Sequence, residues 1–362
     1  MRDVPEVVDI FCGAGGLSYG LKAAGLTVKA GIDLDPACRF PFVRNIKAPF
    51  HQQDVAKLPS SDVQCLFSKS ATRVLAGCAP CQPFSGYTSN NAEKDDRWQL
   101  LLDFLRLARD IRPEIVTMEN VPRLSHLSLW TRFVTELQEL GYRVDWAVLD
   151  AADFGVPQAR RRLVLLASRL GPIQIPQPTA NKPKTVRDAI GKLPQINAGE
   201  ASEADHLHAT RVLTDINLQR IQRSTEAGTW RDWPDHLRTA CHRKKSGKTY
   251  PSVYGRMSWD APSPTITTQF YGFGNGRFGH PTQDRALSLR EGAILQSFPE
   301  SFAFVERGER INFRAVGRLI GNAVPPLLGK EIGKTILQHA TLKSEGAAAG
   351  SSRSSSIRSQ HR

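Results

Sequence analysis

Two cysteines stand at C-x-x-C spacing in residues 77–86, GCAPCQPFSG, and that spacing admits three chemistries. It could be a redox pair, half of a metal site, or one nucleophile beside an unconnected neighbour. A nucleophilic thiolate on carbon needs an acid partner and a group to steady developing charge. MENV supplies Glu119, followed by Asn120, and VPQARRRL supplies Gln158, Arg160 and Arg162 at alternating positions, which share one side of an extended segment. Cys81, Glu119 and Arg162 take on a definite chemical meaning when the substrate is a cytosine. The thiolate would add to C6, the carboxyl would donate to N3, and the guanidinium would steady O2, leaving C5 as a carbon nucleophile toward a sulfonium-borne methyl group. Cys78 reads as a small buried residue of the preceding strand.

These side chains need a scaffold. Short β-branched runs at residues 7–11, 28–33, 74–79, 115–121, 144–149 and 163–167 alternate with amphipathic stretches. This is the rhythm of an α/β fold, a Rossmann-like, mostly parallel sheet wrapped by helices. Cys81 and Glu119 each follow a strand and so belong to the carboxyl edge. The first strand runs into FCGAGGLSYGLKAAG, where Gly13, Gly15 and Gly16 open a corner to a ligand and a helix begins near Leu17. Asp33 and Asp35 in GIDLDP fall at the next strand end, suited to ribose hydroxyls, and Asp54 follows a third strand. Any one of these could be an ordinary turn acid or N-cap. In order, they describe a nucleoside lying over the edge of the sheet.

The texture changes at GPIQIPQPTANKPKT, which reads as a linker. Residues 1–171, completed by 316–343, are expected to form the catalytic and cofactor-binding domain. Residues 172–315 form a smaller, loop-rich domain, and residues 344–362 a disordered tail. A final packed helix with Pro near its start follows Gly321.

The chain has 362 residues, 40% of them hydrophobic, with 48 Lys and Arg against 35 Asp and Glu, a formal net charge of +13. That balance points to a polyanionic partner, nucleic acid first. The amino terminus shows no secretory pattern and no apolar run spans a bilayer, so a cytoplasmic protein without membrane contact is expected. Six dispersed cysteines argue against a disulfide framework.

The ordered blocks DIFCGAGGLSYG, GIDLD, QDV, GCAPCQPFSG, DDRWQLL, MENV, QARRR, RALSLREGAILQSFP and IGNAVP resemble the motif series of the cytosine-C5 DNA methyltransferases, in that family's usual order. The resemblance covers residues 9 to about 336 in blocks. It implies S-adenosylmethionine as cofactor, held by Phe11 against the adenine, Gly13, Gly15 and Gly16 in the turn, Asp33 on the ribose, Leu34 and Asp54 at the adenine, and Pro80, Leu100 and Asn322 completing the pocket. The family usually carries Glu where this chain has Asp33, and Asp35 stands two residues on. Cys81, Glu119, Arg160 and Arg162 are implied as catalytic, acting on a flipped-out cytosine in double-stranded DNA through a covalent bond between Cys81 and C6.

By the same resemblance residues 172–315 form a target-recognition domain, whose Thr-Ile pair is Thr265 and Ile266. Gln82, Ser85, Gln158, Thr265 and Ile266 are the implied DNA contacts. Thr hydroxyls with neighbouring backbone N–H groups also suit phosphate on physical grounds. The compact chain suggests a monomeric modification enzyme, with a companion restriction endonuclease as a possible partner. The rivals explain less. A zinc site would have to draw on His206, His208, Cys241 and His242, whose spacing matches no common finger, so no metal is expected. A nicotinamide oxidoreductase leaves Cys81, Glu119 and QARRR without roles. The tRNA-methylating branch carries a Cys-Phe-Thr triplet that this chain lacks.

Overall fold

The computed structural model describes residues 4–80, 99–244, 246–247 and 252–357, with side chains up to residue 342. The chain divides into two compact units. One comprises Met1–Leu149, Arg161–Gln177 and Leu328–Arg362, and the other Asp150–Arg160 and Pro178–Leu327.

The first unit is built on a seven-stranded sheet. Its strands are β1 (Glu6–Ile10), β2 (Thr27–Asp33), β3 (Phe50–Gln52), β4 (Arg73–Gly77), β5 (Ile115–Asn120), β6 (Arg143–Asp150) and β7 (Arg161–Ser168), in the order β3-β2-β1-β4-β5-β7-β6. β1 pairs in parallel with β2 and β4, β2 with β3, and β4 with β5. β7 runs antiparallel to β5, with Glu119 opposite Val164 and Asn120 opposite Leu163. The sheet is therefore mixed, and its direction has a functional consequence. The carboxyl ends of β1, β2, β4 and β5 share one edge, and because β7 is reversed its amino end reaches that same edge. Val8, Ile10, Leu75, Val116, Met118, Leu163 and Leu165 are buried on the sheet.

Helices α1 (Gly16–Ala23), α2 (Arg39–Ile46), α3 (Ser60–Gln64), α4 (Gln99–Ile111) and α5 (Ser128–Glu139) follow successive strands. α4 shows why such segments fold as they do. Leu101, Phe104, Leu105, Leu107, Ala108 and Ile111 recur at helical spacing and all are buried, while Arg109 and Asp110 are exposed.

The second unit holds short helices, α6 (Val186–Ile190), α7 (Asp215–Gln222), α8 (Ala240–Arg243), α9 (Leu289–Leu295) and α10 (Phe313–Asn322). Among its described residues the strand pairing is limited to isolated bridges. Its order comes instead from an aromatic core of Trp230, Trp233 and Phe273 with Ile221 and Leu237, and from buried ion pairs. Arg285 donates to both carboxylate oxygens of Glu291 at 2.7 Å, wholly out of solvent.

The last helix, α11, runs Pro326–Ile357. Gly329 and Gly333 bring it against α1, where added Cβ atoms would stand 3.1 Å from the Leu17 carbonyl and 2.7 Å from the Ala24 methyl. Ser168 and His339 are joined at 2.8 Å.

Candidate active site

The edge where the strands end gathers the expected cofactor residues of the first unit. Gly13 and Gly15 take φ of +54° and +90°, conformations that only glycine adopts without cost. A Cβ placed on Gly13 meets no atom within 4 Å, so this backbone faces open space. Phe11, at the end of β1, holds φ +60°, which is uncommon for an aromatic residue and marks strain retained at a site. Asp33 ends β2 and ties the glycine turn to its own loop, accepting the Gly13 N–H at 2.9 Å on Oδ2 and the Asp35 N–H at 2.9 Å on Oδ1. Burial raises its carboxyl above the ordinary range, and the two backbone donors act in the opposite direction. Leu34 beside it is 63% exposed, an apolar side chain offered at the sheet edge. Asp54 caps the turn after β3 through the Ala56 N–H, 3.1 Å away. Gly16 opens α1, Leu100 lies half-buried on α4, and Pro80 is exposed just beyond β4.

Asp9 lies beneath this turn. Its carboxyl is fully buried and pushed up to about 7, chiefly by that burial, although Ser18 donates a 2.6 Å hydrogen bond to it. An open glycine turn, acids at two strand ends and an exposed leucine fit the nucleoside and amino-acid parts of S-adenosylmethionine. Among the described residues no group of three or more His, Cys, Asp or Glu could hold a metal ion, and no helix is long and apolar enough to cross a membrane.

The catalytic edge is built by β4, β5 and β7. Glu119 is 3% exposed. Arg162 Nε stands 2.9 Å from Glu119 Oε1, close enough for an ion pair. Its N–H is not directed along that line, so Oε1 has no hydrogen-bond partner among the described residues. Glu119 Oε2 accepts from the Cys78 thiol at 2.9 Å. Cys78 is thus half-buried and engaged with the carboxylate; the reading of it as a mere packing residue is corrected. The reason is register, since Gly77 pairs with Met118 and the next residue of each strand is therefore a neighbour of the other. Asn120 fixes the following turn, its Nδ2 donating to the Ala79 carbonyl at 3.1 Å. Cys81, Gln82 and Ser85 lie outside the described residues.

In the second unit, alternation along 158–160 is visible in burial, with Gln158 and Arg160 inside and Ala159 out. The buried pair, however, meets protein. Gln158 donates to the Leu295 carbonyl at 3.1 Å and to Gln296 Oε1 at 2.8 Å, and its own Oε1 accepts the Ile266 N–H at 2.7 Å. Arg160 donates to the Ile266 carbonyl at 3.0 Å and to the carbonyls of Gly321 and Ala323 at 3.0 and 3.2 Å. Through these contacts Gln158 and Arg160 both hold the backbone around Ile266. Ile266 is fully buried as well, and its backbone is what they hold. Thr265 is half-buried and donates to the Ala159 carbonyl at 2.9 Å, while Asn322 ends α10 exposed. Gln296, which joins this cluster and donates to the Ile320 carbonyl at 2.7 Å, was missed; its place in LQSFP gave no sign of a buried amide.

The family description C-5 cytosine-specific DNA methylase matches residues 6–338. The chain belongs to that family. This methylase is 47% identical over 338 residues to the Type II methylase M.HgiDII of Herpetosiphon aurantiacus, covering 92% of this chain and 95% of that one. It is 35% identical over 340 residues to the Type II methyltransferase M1.HphI of Haemophilus parahaemolyticus, covering 91% and 86%. An E. coli prophage protein described as a DNA modification methyltransferase superposes with a TM-score of 0.71 at 23% identity, over 91% of this chain and 98% of that one. The S. pombe Dnmt2 methyltransferase gives 0.58 at 18%, over 94% and 99%. The two structures speak to the fold alone. Family and sequence relatives make the methylase a DNA (cytosine-5) methyltransferase.

Proposed function

We propose that this methylase modifies cytosine within a specific double-stranded DNA sequence by covalent catalysis, with Cys81 as nucleophile and Glu119 as acid. The observation that carries the reading is Glu119 itself, a carboxyl 3% exposed at the carboxyl edge of the sheet, with one oxygen beside Arg162 and lacking a hydrogen-bond partner among the described residues. Such a buried acceptor is costly to keep unless a ligand completes it.

S-adenosylmethionine, when bound, supplies an electrophilic methyl group on a sulfonium. Phe11, Leu34, Asp33 and Asp54 would hold its adenosine part over the glycine turn, with Gly15, Gly16, Pro80 and Leu100 shaping the remainder. Cys81 as thiolate forms the C6–S bond while the proton of Glu119 passes to N3, and Arg162 steadies O2. The electron pair displaced from the C5–C6 bond makes C5 a carbon nucleophile. After methylation a base removes the C5 proton, the C6–S bond breaks, and the N3 proton returns to Glu119. Because C6 is hidden in a duplex, the base must leave the stack at a cost of a few kcal/mol. Thr265 and the basic side chains of the second unit would hold the backbone, with Gln82 and Ser85 near the target and Gln158 and Ile266 supporting from inside. The relatives' Type II names and bacterial sources support a cytoplasmic modification enzyme that could work beside a companion endonuclease.

The test is to incubate the protein with duplex DNA and methyl-labelled S-adenosylmethionine, then digest to nucleosides. Label in 5-methylcytosine is expected; label only on an exocyclic amine, or none, refutes the reading. Bisulfite sequencing of the product then gives the recognition sequence.

A further inference from the structure

We infer that Cys78 is a positioning residue of this reaction, its thiol holding one oxygen of Glu119 so that the other is left to pass the proton. The inference rests on the acid role proposed for Glu119. Its own ground is the 2.9 Å contact from Cys78 Sγ to Glu119 Oε2, made where both partners are fixed from behind. The Cys78 N–H donates to the Ile10 carbonyl at 3.3 Å, continuing the β1–β4 pairing past Gly77. The next residue is pinned by Asn120, which donates to the Ala79 carbonyl and stands beside Glu119 on β5. The thiol and the carboxyl are thus presented to each other by two adjacent strands rather than by a flexible loop.

The chemistry of the pair explains what a thiol would do there. Oε2 accepts the S–H whether Glu119 is a carboxylate or carries a proton on Oε1, because the second oxygen remains an acceptor in both states. The clamp therefore persists through the proton's departure to N3 and its return. The proton leaves from Oε1, on the side that Arg162 flanks, and the Cys78 proton never leaves sulfur. Without this contact at Oε2 the carboxyl could swing and present either oxygen.

The test compares Cys78→Ala, Cys78→Val and Cys78→Ser with Glu119→Gln and with the Cys78→Ala/Glu119→Gln double variant, each in the full chain with DNA and S-adenosylmethionine. Cys78→Ala and Cys78→Val are expected to lower kcat about tenfold, the worth of one oriented hydrogen bond to a charged group, with KM for both substrates changed less than about twofold. Cys78→Ser, which restores a donor, is expected within about threefold of wild type. Because Cys78 acts through Glu119, adding Cys78→Ala to Glu119→Gln is expected to slow the reaction less than about twofold further. A wild-type kcat in both Cys78→Ala and Cys78→Val, or a full additional tenfold loss in the double variant, overturns the inference. If Glu119→Gln itself turns over at the wild-type rate, the acid reading falls; if Glu119→Gln is slow while the cysteine variants are not, only the role of Cys78 falls.

Discussion

Arg160→Leu separates a structural arginine from a catalytic one. The guanidinium is buried and donates to three carbonyls, Ile266 at 3.0 Å, Gly321 at 3.0 Å and Ala323 at 3.2 Å. A hydrogen bond to a charged donor contributes roughly 1.5–3 kcal/mol. Leucine fills much of the space but leaves the Ile266 carbonyl without this donor, whereas Gln296 Nε2 already stands 3.5 and 3.4 Å from the Gly321 and Ala323 oxygens and can partly replace it. Removing a desolvated cation returns part of the loss. The net expected destabilisation is about 3 kcal/mol, or a lowering of the unfolding midpoint by about 10 °C for a unit of this size. Thermal unfolding followed by tryptophan fluorescence reads it directly, since Trp230, Trp233 and Trp259 belong to the second unit. DNA affinity should fall with it, because the backbone of Ile266 loses a tether. A midpoint within about 2 °C of wild type together with a hundredfold loss of kcat would refute the clamp and return Arg160 to the substrate.

Two further predictions concern pH. Asp9 keeps its proton in the folded state up to about 7, while the unfolded chain loses it in the ordinary carboxylate range, so stability should decline as pH rises through that window. Asp9→Asn should flatten the decline, by about 3 kcal/mol between about pH 5 and pH 8 in urea titrations; an identical slope in the two proteins refutes it. In the second unit the sign reverses. Burial holds His280 down near about 4, and Glu291 is held near about 2 because Arg285 outweighs the effect of its burial. The unfolded chain takes up both protons first as pH falls, so stability is lost from about pH 6.5 downward through His280 and further below about pH 4.5 through Glu291. In Asp9→Asn, where the opposing contribution is removed, a tryptophan-reported midpoint unchanged between about pH 7 and pH 4 would contradict this.

Much of the scaffold is legible in the chain. Short β-branched runs mark the strands, and because a parallel sheet presents successive carboxyl ends on one edge, Phe11, Asp33, Asp54 and Glu119 could be ordered before any coordinate was known. The harder cases all turn on what lies opposite. Period-two alternation puts Gln158 and Arg160 on a common face, but it cannot say whether that face meets a ligand or a buried carbonyl, and here it meets Ile266. Cys78 reads as packing because its partner is forty-one positions away and becomes a neighbour only once Gly77 is registered against Met118. Arg162, by contrast, was placed beside Glu119 by chemistry alone, and the reversed strand β7 supplies the reason it reaches.

The central claim is that Cys81 bonds to C6 of the target cytosine while C5 takes the methyl group. It is tested most directly with a duplex carrying 5-fluorocytosine at the methylated position, where no C5 proton is available for the release step. Incubated with S-adenosylmethionine, the protein should accumulate as an adduct whose intact mass equals protein, DNA strand and one methyl group, and whose digestion places the DNA on Cys81. An adduct on another residue, or complete turnover with no adduct, would contradict the account.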